Sequence, residues 1–111
     1  MDQPKYQACI ATCIASVVLC NECTNECLNE QDVRMLTHCI RLNHECASVC
    51  RLAIEAITGG SEFVKQICSL CAEICNACAS ECEKHGHMAH CKLCAEACRQ
   101  CAKECLQMIK T

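Results

Sequence analysis

The hydrophobic positions of this chain follow a helical pattern, and cysteine occupies most of them. Between Cys68 and Cys82 the cysteines recur at alternating intervals of three and four residues. This alternation averages about 3.5 residues, the repeat of an apolar stripe on a helix that packs against other helices. A thiol therefore occupies each position where a helical bundle normally places a leucine. The stretch predicts a helix whose inward face is made of thiol groups.

Four such helical segments follow one another, separated by polar or glycine-containing breaks. The predicted helices cover about residues 4–30, 32–58, 62–84 and 88–109. Pro4 suits the first position of a helix, and Asp32 and Ser61 are predicted N-caps. Gly59 and Gly60 form the strongest predicted break, because glycine adopts the left-handed conformation that ends helices. Gly86 separates the last two helices.

All 18 cysteines fall on the stripes of these helices. They are Cys9, Cys13, Cys20, Cys23 and Cys27 on the first helix, Cys39, Cys46 and Cys50 on the second, Cys68, Cys71, Cys75, Cys78 and Cys82 on the third, and Cys91, Cys94, Cys98, Cys101 and Cys105 on the fourth. Helices with short connections and one special face each predict an all-α, up-down-up-down four-helix bundle with a cysteine-lined interior. A chain of 111 residues is expected to form a single domain, 1–111.

Many cysteines in a short chain usually indicate a fold held together by disulfide bonds. The composition of this chain argues against such a fold. Such folds are rich in loops, whereas this chain has three glycines and one proline. Cysteines three or four residues apart on one helix also seldom reach disulfide geometry. We therefore expect free thiols, as in the reducing cytoplasm.

The charges of the chain exclude two classes of partner. The net charge is −3 with both signs interspersed, so we expect neither a nucleic-acid partner nor a basic membrane-binding face. The uncharged run from Ala8 to Cys20 faintly resembles the core of a signal peptide. It lacks a leucine-rich centre and carries cysteines in helical step, which favours a cytoplasmic protein without a membrane partner.

The thiol stripes predict a soft metal ion as the ligand. Thiolates select Cu(I), zinc and iron–sulfur centres. Structural zinc sites are separate tetrahedra of four ligands, and iron–sulfur clusters need four cysteines around an inorganic core, typically on a loop. A continuous ladder on rigid helices offers pairs and threes of sulfur at every level, which favours several Cu(I) ions per chain.

Two other functions stay open at this point. One is a metallothionein-like zinc or cadmium buffer. The other is a thiol–disulfide redox protein, which would need an exposed cysteine pair of low pKa. Because catalysis uses only two cysteines, the 18 in register favour a metal-binding protein that is not an enzyme.

Histidine and methionine gather at the end of the predicted bundle opposite Gly59. We predict that this mouth receives Cu(I) and passes it to the thiols. The candidate ligands there are Met35, His38, His85, His87 and His90. At the other end Tyr6, Ile57, Val64 and Met108 are expected to form an apolar plug.

Two stripe positions carry polar residues other than cysteine. Asn43 is either a buried amide that fixes helix register or a residue that binds copper or orients its ligands. Ser16 is expected to be a small neutral filler. Off the stripe, Ile10, Ile14, Val17 and Val18 are more apolar than an exposed face needs, which favours a homo-oligomer.

Three groups of segments together resemble the cytosolic branch of the bacterial copper storage proteins. They are Cys9-x-x-x-Cys13 with Cys20-x-x-Cys23-x-x-x-Cys27, the run from His38 through Cys46 to Cys50, and the two ladders 68–82 and 91–105 with a histidine-rich turn between them. The resemblance implies a four-helix bundle that assembles into a homotetramer and binds many Cu(I) ions through its inward cysteines. It also implies a further cysteine where Ser16 stands and a polar residue near copper at the position of Asn43.

Overall fold

The computed structural model describes residues 4–110, whose regular elements are helical. They are α1 (Pro4–Leu28), a short 3₁₀ helix (Val33–Leu36), α2 (Thr37–Thr58), α3 (Val64–Glu83) and α4 (Ala89–Met108). Each long helix packs against its two neighbours in the cyclic order α1, α2, α3, α4. The result is the expected up-down-up-down bundle, about 45 Å long and 18 Å across.

The interior of the bundle is built mainly from cysteine. All 18 cysteines are free thiols with no solvent exposure. Alanines such as Ala53 and Ala79 fill positions beside them, and a few larger residues, including Leu36 and Met108, close the ends. Because cysteine and alanine are small, the four helices enclose a narrow column of sulfur.

Two glycines and two backbone hydrogen bonds end α2 and allow the chain to reverse before α3. The Ser61 amide donates to the Ala56 carbonyl at 2.9 Å, and the Gly60 amide donates to the Ile57 carbonyl at 3.4 Å. This is the Schellman arrangement of a helix end, with Gly60 in the left-handed conformation at φ 69°. A side chain at Gly59 would approach the Glu55 carbonyl oxygen to 2.9 Å, so both glycines are required.

The start of α2 differs from the prediction. Asp32 precedes the 3₁₀ helix and makes no capping hydrogen bond, and the α-helix begins only at Thr37. The tighter 3₁₀ turn brings Leu36 against the core, where it is 2% exposed. A stripe of apolar residues three apart suits a 3₁₀ turn as well as an α-helix, which is why the pattern could not separate the two.

α1 begins at Pro4 and α2 ends at Thr58, as predicted, and the remaining helix ends lie one or two residues inside the predicted ones, as with α1, which ends at Leu28. Ser61 does accept a hydrogen bond from the Phe63 amide at 3.0 Å, as expected of a capping residue, although α3 starts at Val64. End residues of helices fray, and such differences leave the inward face unchanged.

Around Ile14 and Val18 the outer surface of α1 is apolar, and these two side chains are about half exposed at 50% and 48%. By length and composition α1 could cross a membrane, with a mean hydropathy of 1.3 in its most apolar window. The core helix of a soluble bundle passes the same test, and the cysteine face of α1 is buried against the other helices.

Candidate metal-binding core

Thiols of neighbouring helices face each other along the whole column. At the end near Gly59, which we call the Gly end, Cys9 lies 3.7 Å from Cys105 and Cys13 lies 3.6 Å from Cys101, sulfur to sulfur. Near the opposite end, which we call the His end, Cys39 and Cys82 are 3.6 Å apart. The column is therefore continuous from one pair of helices to the next.

Thiols also meet across the diagonal of the bundle. The Cys46 sulfur of α2 lies 3.6 Å from that of Cys98 on α4 and 3.5 Å from that of Cys75 on α3. Cys50 lies 3.8 Å from Cys101 across the same diagonal. Helices can approach this closely at the centre only because the side chains between them are small.

The sulfur atoms form groups that could hold a metal ion. Four ligand atoms lie within 4.8 Å of one another in the groups Cys13–Cys71–Cys101–Cys105, Cys50–Cys71–Cys75–Cys101, Cys20–Cys78–Cys94–Cys98 and Cys23–Cys27–His90–Cys91, and three in Cys9–Cys68–Cys105. Two thiolates on one ion at about 2.3 Å each can be at most about 4.6 Å apart. Pairs such as Cys13–Cys101 at 3.6 Å and Cys50–Cys71 at 3.7 Å lie within that limit, so they can share a metal ion.

The groups overlap, which bears on the kind of metal. Cys71 and Cys101 each belong to two four-thiol groups, and Cys105 belongs to a four-thiol and a three-thiol group. A structural zinc site uses four ligands of its own. A thiol that belongs to two groups can bridge neighbouring ions, which suits a chain of ions that each take two or three sulfurs.

Burial favours the neutral form of a thiol, and at Cys27 and Cys91 this effect dominates. It is the largest cause that raises the pKa of Cys27 to about 11, and it also raises the pKa of Cys91. A metal ion that binds these sulfurs must therefore displace their protons. Near them, hydrogen bonds with Cys39, Cys82 and Cys94 lower the pKa of Cys23.

Asn43 lies inside the sulfur column and is fully buried. Its Oδ1 accepts hydrogen bonds from the thiols of Cys78 at 3.1 Å, Cys94 at 3.4 Å and Cys82 at 3.7 Å. Its Nδ2 donates to the Cys39 sulfur at 3.8 Å. The amide is thus fixed by thiols from three helices, and its oxygen points at sulfurs that lose their protons when metal binds.

Ser16 is also fully buried, but it turns away from the sulfurs. Its hydroxyl donates to the Ala97 carbonyl oxygen at 3.3 Å. Because that hydroxyl is satisfied by backbone, Ser16 acts as a neutral filler, and α1 offers no thiol at this level.

Among the predicted histidines, His90 is the one whose ring contacts thiols within the described residues 4–110. Its Nδ1 lies 3.5 Å from the sulfurs of both Cys23 and Cys91 and 3.9 Å from that of Cys27. Its Nε2 lies 3.2 Å from a Glu30 carboxylate oxygen. Burial alone would lower the pKa of His90, but hydrogen bonds with Cys23 and Glu30 outweigh it and raise the pKa.

Two other predicted histidines are held by a carboxylate instead. Glu81 is 7% exposed, and its oxygens lie 3.2 Å from His38 Nδ1 and 3.3 Å from His85 Nε2. Burial would raise the pKa of Glu81, but hydrogen bonds with Lys84 and His85 overcome it and lower the pKa. Neither Glu81 nor Glu30 is among the predicted site residues; the spacing of four residues between Glu81 and His85 is the one signal in the sequence that points to such a pair.

The last two predicted ligands, Met35 and His87, are exposed at the tip of the His end. Together with Leu36, His85 and Met88 they line an axial pocket of about 390 Å³ whose lining contains no cysteine. Leu36 lies on the core side of this pocket and is buried. The structure therefore brings the predicted residues to one end but separates Met35 and His87 from the thiols.

The Gly end is closed by larger side chains, as expected. Tyr6, Ile57, Val64 and Met108 line one surface pocket there, and Ile57 and Met108 are only 3% exposed. His44 points to solvent, in agreement with its position off the stripe.

Comparison with known proteins identifies the family. The family model described as copper storage protein matches residues 2–110 of this chain. The chain belongs to the copper storage protein family. That assignment agrees with the fold and with the free thiols of the core.

Solved structures of the family share the bundle. The Cu(I)-bound copper storage protein BsCsp3 is 47% identical, with a TM-score of 0.89 over 95% of this chain and 98% of that one. The apo protein from Bacillus subtilis is 48% identical, with a TM-score of 0.88 over 93% and 97%. A cytosolic copper storage protein from Streptomyces lividans carrying five coppers is 33% identical, with a TM-score of 0.93 over 96% and 93%. That organism's protein was also solved with 10 copper equivalents.

A curated relative, the uncharacterized cysteine-rich protein YhjQ of Bacillus subtilis, is 56% identical over 52 residues. The match covers 47% of this chain and about half, 48%, of the relative.

Proposed function

We propose that this protein stores Cu(I) in the cytoplasm by binding several ions along its column of thiols. The observation that carries the proposal is the overlap of the sulfur groups, in which Cys71 and Cys101 each serve two groups. Shared thiolates suit an ion that is content with two or three soft ligands, which is Cu(I). The metal-bound relatives, one of them described as cytosolic, support the same choice of ion and compartment.

Uptake is an exchange of protons for copper. Each Cu(I) ion that replaces one thiol proton forms a Cu–S bond, breaks an S–H bond and releases H⁺, so the charge of the interior is unchanged. A divalent ion would need two protons to leave for the same balance and prefers four ligands. Many monovalent ions can therefore share one buried cavity without accumulating charge.

Two residues other than cysteine are proposed to take part. His90 Nδ1 faces three thiols and can complete a mixed nitrogen and sulfur site. The Asn43 oxygen becomes free to approach copper once Cys78, Cys82 and Cys94 have lost their protons. Met35, His38, His85 and His87 are proposed to make the His end attractive to copper from outside.

The role is one of binding rather than catalysis. A redox enzyme would expose one reactive cysteine pair, whereas every cysteine here is buried and sits among other thiols. Storage explains the number of cysteines, and catalysis does not.

The protein is proposed to form a homo-oligomer. The half-exposed Ile14 and Val18 of α1, together with the partly buried Ile10 and Val17, would be covered by a second copy. A homotetramer is the state that the family resemblance implies.

An anaerobic titration of the reduced protein with Cu(I), in competition with a chromophoric chelator, tests the proposal. We expect several Cu(I) ions per chain, bound tightly enough to withstand the chelator, with release of protons. A parallel titration with Zn(II) is the control. About four tightly held zinc ions, one for each set of four thiols, together with weak Cu(I) binding, would favour a zinc buffer instead.

A further inference from the structure

One group of thiols at the Gly end has three members, fewer than the four-thiol groups deeper in the column. Cys9, Cys68 and Cys105 contribute one sulfur each from α1, α3 and α4, and the three atoms lie within 4.8 Å of one another. All three thiols are fully buried. Each is the cysteine nearest the Gly end on its helix, so this group forms the last layer of the sulfur column. A metal ion there has one side that no thiol covers.

The layer of side chains beyond this group contains one further sulfur atom. Tyr6, Ile57, Val64 and Met108, one from each helix, line the pocket of about 520 Å³ at the Gly end. Met108 follows Cys105 by three residues, which places both side chains on the same face of α4. Of the four side chains, that of Met108 is the one with a soft donor atom, the thioether Sδ. A ligand that suits copper therefore lies in the layer next to the last thiols.

The direction of α4 turns this methionine towards the thiols. α4 ends at the Gly end, and the side chains of a helix lean back towards its N-terminus. From Met108 that direction leads over Cys105 and into the column. Tyr6 and Val64 lie in the first turns of α1 and α3, where the same lean points away from the thiols. In agreement, Met108 is 3% exposed, whereas Tyr6 and Val64 are only partly buried.

A thioether suits the kind of ion that the thiols hold. Thiolate and thioether sulfur both select Cu(I), whereas zinc in proteins takes thiolate, imidazole and carboxylate ligands. A thioether is also neutral. It can therefore complete the coordination of a buried ion without adding a negative charge to the interior.

The two ends of the column are closed by side chains of different chemistry. At the His end Leu36, 2% exposed, lies between the axial pocket and the core and offers only hydrocarbon. At the Gly end Met108 is buried to the same degree, but it is unbranched and has a polarisable sulfur. Its three rotatable side-chain bonds let the sulfur move onto an ion without movement of the backbone. Met108 can thus close the column and bind metal.

We propose that Met108 is a copper ligand, whose thioether binds the Cu(I) ion held by Cys9, Cys68 and Cys105. This inference rests on the proposed storage function and adds a ligand to one of its sites. The protons that leave on binding come from the thiols, which form Cu–S bonds as their S–H bonds break. The thioether donates a lone pair and releases no proton. The copper stays Cu(I) throughout, so no oxidant or reductant is required.

X-ray absorption at the selenium edge tests the contact directly. Protein in which selenomethionine replaces methionine is loaded anaerobically with Cu(I), and a selenium atom bound to copper then has copper as a near neighbour in the spectrum. Because the other methionines also carry selenium, the measurement is repeated on Met108→Leu, which removes the sulfur at similar volume. Ile109→Leu, at a partly buried residue next to Met108, is the matched control.

We expect the copper contribution to the selenium spectrum to decrease in Met108→Leu and to stay the same in Ile109→Leu. Competition with a chelator should show one Cu(I) ion per chain bound at least about tenfold more weakly in Met108→Leu, because even residues that only orient a ligand change metal affinity by about 10–100-fold. A second variant, Met35→Leu with Met88→Leu, removes the methionines of the His end and should retain the copper neighbour of selenium.

The selenium spectrum decides the outcome. An equal copper contribution in the wild type and Met108→Leu would overturn the proposal, and so would its loss in Met35→Leu with Met88→Leu. A lower affinity of Met108→Leu without a change in its spectrum would assign this residue to packing alone. Failure of the storage function looks different, because the wild type would then bind few Cu(I) ions at all. Circular dichroism of each metal-free variant ensures that the fold is retained.

Discussion

The two halves of the sulfur column differ in what the thiols contact. Towards the Gly end Cys13, Cys50, Cys71 and Cys101 contact thiols in groups that share members. Towards the His end the thiols contact the Asn43 amide and the His90 ring. An ion in the first half meets only sulfur, whereas an ion in the second half meets nitrogen and oxygen as well. The first half therefore offers an environment of sulfur alone, and the second a mixed one.

The largest expected effect comes from removing one thiol in each half. Cys101→Ser takes a ligand from two four-thiol groups at the Gly end, and Cys27→Ser takes one from the group that contains His90. Each site that is occupied at a thousand times its dissociation constant stabilises the folded protein by about 4 kcal/mol.

Cys101→Ser should therefore bind fewer Cu(I) ions per chain than Cys27→Ser. The melting temperature of the loaded protein should also decrease more in Cys101→Ser. Chelator competition and calorimetry of both loaded variants measure this. Equal losses in the two variants would mean that the groups at the Gly end do not share ions, contrary to the comparison above.

The metal-free protein offers a second comparison, between Asn43 and Ser16. Asn43→Ala leaves the thiols of Cys78, Cys82 and Cys94 without their acceptor and should cost about 2–3 kcal/mol of unfolding free energy. Ser16→Ala removes one part-buried hydrogen bond to the carbonyl of Ala97 in α4 and should cost about 1 kcal/mol or less.

Denaturant unfolding in the presence of a reductant measures both costs. If the two substitutions are equally mild, Asn43 is not an organising residue of the core in the metal-free state. Its contribution would then be confined to copper binding.

The pH dependence of the metal-free protein tests the burial of both halves. Burial is the main cause that raises the pKa of Cys27 from 9.0 to about 11. A hydrogen bond with Cys105 lowers the pKa of Cys68, but a hydrogen bond with Cys9 and burial prevail and raise it to about 12. Because Cys27 and Cys68 ionise near pH 9 when unfolded and only at higher pH when folded, these two groups keep more protons bound in the folded state between these values.

The contribution of these two thiols to the unfolding free energy should therefore be complete below pH 9 and should decrease as the pH rises from 9 towards 11. Unfolding free energies at a series of pH values between 7 and 10.5 measure this. A constant stability over that interval would show that the thiols are already solvated in the folded protein.

The smallest effect is expected at Glu81, which we assign to the structure of the His end and not to the copper sites. Glu81→Gln weakens its contacts with His38, His85 and Lys84 and should cost about 0.5–1 kcal/mol in the metal-free protein. The number of Cu(I) ions per chain should not change. A loss of bound copper in this variant would instead make the histidines that it holds part of the store.

The bundle and its inward thiols were predictable because cysteine marks one face of every helix. A stripe repeating every three and four residues has one packing solution, and all the cysteines are indeed buried. The 3₁₀ helix before α2 was not predictable, because Val33 and Leu36 fit both kinds of helix. Periodicity reports which face is buried but not how tightly the backbone turns.

The different contacts of the histidines could not be predicted from the sequence either. His85 and His90 are both near the thiols along the chain, but one is held by Glu81 and the other lies against Cys23 and Cys91. That difference depends on which helices meet at each corner of the bundle. A surface groove between α1 and α4 depends on the same pairing, since residues far apart in sequence, such as Leu19 and Leu93, form its walls.

The most direct test of the account is to locate copper in crystals of the fully loaded protein by anomalous scattering at the copper edge. We predict a row of copper sites along the axis, including sites among Cys13, Cys71, Cys101 and Cys105 and among Cys50, Cys71, Cys75 and Cys101, with thiolates shared between neighbouring ions. Copper confined to the histidines of the His end, with the thiols of the Gly end free of metal, would contradict the account.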